Sequence, residues 1–194
     1  MRKRNLLWDI LGGALGFAAV SLLAFSVWAF GGKWIRGELA LYSAVAGVFV
    51  AVSGLFLGPL AGGLVRFYRS FVPAFLAYAV VWCAAWWGLG GRLGEWVGAV
   101  VGGVAFTVVC LMILGNPRVW FTAAVAFIAL HAAGYFAGDW AYFYAKANPV
   151  ALAEPLNLTK PQVFAAARLA WGLLYGLGFG AGLGYVYGIS GEKV

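Results

Sequence analysis

The chain reads as an all-α, polytopic membrane protein of six transmembrane helices packed through glycine ladders, a single domain over residues 1–194. Three observations predict this. Of the 194 residues, 64% are hydrophobic and only 10% charged, far from the soluble norm of about 25% charge. The apolar residues fall into runs long enough to cross a hydrocarbon core, which takes about 20 helical residues. And the 29 glycines are spaced, not scattered. With 13 Lys and Arg and 6 Asp and Glu there is too little polar surface to wrap a water-soluble globule. A transmembrane β-barrel would need segments of about ten residues alternating in polarity, and none of the runs alternates.

Six spans follow in order: Ile10–Phe30, Glu38–Val65, Phe71–Leu89, Glu95–Leu114, Val119–Tyr142 and Val163–Gly188. The first, behind Arg2-Lys3-Arg4, is longer than a signal-peptide core and reads as a retained helix. The second is too long to cross upright and contains Gly58-Pro59, where loss of an amide donor predicts a kink. The breaks are charged or marked by Gly and Pro: Lys33–Arg36, Arg66–Arg69, Arg92, Asn116–Arg118 and Asp139–Gln162. Asn116-Pro117 reads as an N-cap followed by Pro at the first helical position. Thr159-Lys160-Pro161-Gln162 reads as a capping box opening the sixth span. Trp8, Trp28, Trp34, Trp86, Trp87, Trp96, Trp120 and Trp140 lie near the span ends, where indole settles at headgroup level.

Charge sets the predicted orientation. The N-terminal side carries Arg2, Lys3, Arg4, Arg66, Arg69, Arg118 and Lys193 against Asp9 and Glu192. The other side carries Lys33, Arg36, Arg92, Lys146 and Lys160 against Glu38, Glu95, Asp139 and Glu154. The positive-inside rule then puts both termini in the cytoplasm. The net +7 needs no nucleic acid, since basic loops facing anionic headgroups account for it.

The sixth span carries an every-fourth-residue ladder, Gly172, Gly176, Gly180, Gly184 and Gly188, with Arg168 one step earlier on the same row. Gly54, Gly58 and Gly62 repeat the pattern in the second span. Small residues at this spacing let helix backbones approach closely, within one bundle or against another subunit. On the third span Phe71, Phe75, Tyr78, Trp82 and Trp86 form an aromatic wall that fits either the core or a flat ligand.

The polar intramembrane groups are His131, Tyr135 and Asp139 on the fifth span and Arg168 on the sixth. Depth counting brings Asp139 and Arg168 level, so a structural ion pair is expected between them. The same residues, with Trp82 and Trp86, are the candidate ligand site: Arg168 for a polar or anionic head, Trp82 and Trp86 for an apolar body, His131 at the floor. One His and two Cys offer no set for a metal or a bis-His haem, and Cys83 and Cys110 lie at depths too different to bridge. No cofactor and no catalytic residue is assigned. Three functions fit these features: binding or transport of a small apolar or lipid-like molecule in the outer half of the bundle, a structural or assembly subunit of a larger complex, or an intramembrane enzyme or lipid-sensing regulator. The partners this implies are membrane lipids, a small hydrophobic ligand, and a second copy or partner subunits.

Overall fold

Backbone amides in lipid must be satisfied within the segment, and helices are the single-segment solution. The computed structural model describes residues 5–191. Arg2, Lys3, Arg4, Glu192 and Lys193 of the charge count lie outside the described residues. Six long helices, α1 (Leu6–Phe30), α2 (Glu38–Ala61), α3 (Leu64–Leu89), α4 (Gly91–Leu114), α5 (Trp120–Ala147) and α7 (Lys160–Ser190), are joined by short turns and one short helix, α6 (Pro149–Leu156). The six are long and apolar enough to span a membrane, and no strand occurs among the described residues.

The ends depart from expectation where the backbone finds an earlier stop. α2 closes at Ala61 instead of running to Val65. Gly62 turns left-handed (φ 83), its N–H bonds to Pro59 O at 3.2 Å, and the Gly63 N–H bonds to Gly58 O at 2.9 Å. This is a Schellman cap. Gly62 is therefore a cap, not a packing position, and Pro59 sits in the last turn of α2, where it does not break the middle of that helix. Arg66, Arg69 and Arg92, expected in loops, ride on the first turns of α3 and α4. Asn116 does not cap α5: Pro117 opens a single 3-10 turn, and the Asn116 amide donates to Ile189 O at 3.4 Å. The capping box at Thr159 and Gln162 is present.

α7 is the centre of the bundle, lying against α1 on one side and α5 on the other. Its ladder faces α1. A methyl group on Gly176 would stand 2.6 Å from Ala18 Cα, one on Gly180 would enter the Gly13 backbone, and one on Gly184 the Asp9 backbone. A second glycine face serves α5, where Gly178 meets Gly134 and Gly182 meets Phe127. Elsewhere the rule is ring into glycine: Trp82 and Tyr78 of α3 lie over Gly98 and Gly102 of α4, and Tyr68 fills the notch at Gly54. Gly58 receives Leu64 at the α2–α3 turn. The half of the bundle nearer the termini is filled by Phe17, Phe71, Phe106, Phe127 and Phe179, all fully buried, with Phe17 stacked on Phe179 at 4.7 Å and Phe106 on Phe127 at 4.8 Å. Gly188 packs on Leu6 and Asp9, so the described ends of the chain share one face of the bundle.

Candidate functional site

Above that phenylalanine core, at the end of the bundle away from the described chain ends, the helices enclose a cleft of about 560 Å³. α1 contributes Phe25 and Trp28; α2, Tyr42, Val45 and Phe49; α3, Tyr78, Ala79, Trp82, Cys83, Trp86 and Trp87. α5 adds Tyr135 and Tyr142, and α7 adds Trp171 and Tyr175. All but Val45, Ala79 and Cys83 are aromatic, and none carries a formal charge. The aromatic wall of α3 is thus divided. Phe71, Phe75 and Tyr78 are buried, while Trp82 is half-buried and Trp86 is 43% exposed at the cleft.

Of the six residues the sequence marked for a ligand, Trp82, Trp86 and Tyr135 line this cleft. His131 lies behind it. The imidazole is fully buried, its Nε2 3.0 Å from the Tyr78 hydroxyl, with Phe127, Tyr175 and Phe179 around it. Nδ1 has no partner. A ring so enclosed is a packing group whose one polar link runs to the cleft wall.

Asp139 and Arg168 do not meet. Asp139, 1% exposed, accepts a bond of 2.7 Å from Arg92 Nη1, which also reaches Glu95 at 2.9 Å. The reason is azimuth. Gly138 packs on Trp171 of α7, so Asp139, about 100° further round, turns toward α4. Arg168 belongs to the ladder row that faces α1. Its guanidinium lies 4.9 Å over the Trp28 ring, and Nη1 donates to Trp28 O at 3.4 Å. Its Nε has no acceptor, and neither does the buried indole N–H of Trp171.

Several site residues escaped the sequence reading. Arg92 counted only as a loop cation, although its three-residue spacing from Glu95 signals a helical pair. Trp171 and Tyr175 sit between the rungs of the glycine ladder, a position that placed them at a helix interface without saying which one. Cys83 and Cys110 are both free, Cys83 in the cleft wall and Cys110 buried.

The chain matches no protein-family model, no curated protein and no solved structure in the comparisons made. Its own helices establish the class, an integral multi-pass membrane protein with six candidate spans.

Proposed function

We propose that the protein binds a small, largely apolar molecule in the aromatic cleft. The observation that carries the reading is the cleft itself: a volume within the usual range of small-molecule pockets, about 300–1,000 Å³, walled by rings, with a few polar edges from Tyr42, Tyr135, Tyr142 and Trp171. The phenylalanine core closes the bundle beneath it, which favours binding over passage through the bundle. With the positive-inside assignment of the termini, the cleft belongs to the outer half of the membrane, open to the outer leaflet and its lipids. The assembly-subunit reading drew on short loops, the lack of an evident reaction centre and the glycine ladders, and of these the α7 ladder is occupied by α1 of the same chain.

Native mass spectrometry of protein extracted from its own membrane tests the reading. Ala79→Trp fills the cleft from its α3 wall and leaves every aromatic side chain that lines it in place. Wild type should carry a bound small molecule that A79W lacks. Identical bound species in the two proteins would overturn the cleft as the site.

A further inference from the structure

α7 carries two hydrogen-bond donors that the bundle buries and leaves without an acceptor, Arg168 Nε–H and Trp171 Nε1–H. Three residues apart, they share one side of the helix. Both side chains rest on Trp28: the guanidinium stacks over its ring at 4.9 Å, and the Trp171 ring meets it edge-on with centroids 5.7 Å apart. Trp28 and Trp171 are walls of the cleft. The remaining contact of Arg168 is the long bond to Trp28 O, and among the described residues its guanidinium has no carboxylate within ion-pair distance. A half-buried cation inside a span, with no counter-charge from the protein, is an expensive arrangement that marks function.

Tyr135, whose ring meets the Trp171 ring with centroids 5.8 Å apart, adjoins the cluster in which the Arg92 guanidinium already serves both Glu95 and Asp139. The cation without a carboxylate beside it is Arg168, over the Trp28 ring, and it draws an anion to that part of the cleft. Planar guanidinium and indole donors suit carboxylate and phosphate oxygens.

We propose that the Trp28 end of the cleft takes the oxyanion head, carboxylate or phosphate, of a single-chain amphiphile, with Arg168 and Trp171 as donors and the aromatic walls around its chain. The proposal rests on the cleft reading and adds the chemical class of the ligand. The volume suits one chain and not a whole two-chain phospholipid.

The test is competition in phosphatidylcholine nanodiscs. Dansyl-labelled undecanoate is the probe, read by energy transfer from the cleft tryptophans, with the A79W signal subtracted as background. Decanoate and decyl phosphate should displace it at concentrations about tenfold below decanol, the gain of a charge-assisted hydrogen bond. Arg168→Gln should erase that advantage while decanol displaces as before, which also shows that the cleft is intact. Arg168→Lys should keep part of it, and Trp171→Phe should weaken only the anions. If R168Q loses decanol displacement as well, R168K and W171F decide by the same criterion.

Equal displacement by decanol and decanoate in wild type overturns the head-group assignment and leaves the cleft standing. Stronger displacement by decyltrimethylammonium overturns its sign. Inorganic phosphate acting as well as decyl phosphate makes this a free-anion site and overturns the amphiphile. Absence of energy transfer, with no effect of any competitor, overturns the cleft reading itself.

Discussion

A single nitrogen, Arg92 Nη1, holds both Asp139 Oδ2 at 2.7 Å and Glu95 Oε2 at 2.9 Å, tying the start of α4 to the later turns of α5. The carboxylates are buried and the Arg92 side chain is 62% exposed, so the cation reaches in from the surface to neutralise acids that the bundle has already enclosed.

Arg92→Gln should therefore destabilise the protein by about 1–3 kcal/mol or more, since it strands both buried carboxylates, Asp139 and Glu95. Adding Asp139→Asn should recover much of the loss, with a coupling above about 1 kcal/mol. Arg168→Gln and Asp139→Asn should be additive. Thermal unfolding in detergent reads all of these, and additivity of the Arg92 and Asp139 changes would remove the pair from the account.

Tyr78→Phe deprives His131 of its one polar partner and should cost about 1–3 kcal/mol. His131→Phe places a ring among rings, so the double variant Y78F/H131F should be more stable than Y78F alone. The same unfolding assay would show the opposite order if the imidazole had a second, essential role.

Glycines of the ladder differ from glycines in open space. Gly180→Ala and Gly184→Ala drive a methyl group into the α1 backbone and should lower the melting temperature sharply, at about 1–3 kcal/mol or more each. Gly47→Ala meets nothing and should be neutral or mildly stabilising, because alanine favours the helix. Size-exclusion profiles after graded heating compare the three directly.

Cys83 and Cys110 provide an internal contrast. Cys83 lines the cleft and should react with N-ethylmaleimide in the folded protein, whereas Cys110, fully buried, should stay unmodified until unfolding. A charged, membrane-impermeant maleimide applied to sealed vesicles should label Cys83 only from the side opposite the termini. Peptide mapping by mass spectrometry gives the result, and labelling of Cys110 before Cys83 would invert the assignment of the two environments.

The spans were legible because lipid imposes a length and a composition that 194 residues cannot hide. Their ends were less so. Arg66, Arg69 and Arg92 look like loop residues by charge, yet long side chains let a helix begin inside the headgroup layer with the charge held outside. The site was half legible. Trp82 and Tyr135 came from stripes on single helices, which periodicity records. The expected Asp139–Arg168 pair failed because depth was counted and rotation was not. The clue lay in the glycine row itself: Arg168 continues the ladder, so whichever helix the ladder packs against is the one Arg168 must face. No pattern within α7 names that helix as α1. A contact between the first and last spans is a fact of the tertiary arrangement alone.

That contact also orders the events of synthesis. Of the six described spans α1 is synthesised first and α7 last, yet each buries its backbone-to-backbone seam against the other. Until α7 is in place, the α1 seam around Gly13 and the α5 seam at Gly134 lack the backbone they pack against. A chain halted before α7 would leave two small-residue seams uncovered, and a single helix closes both because it lies between them.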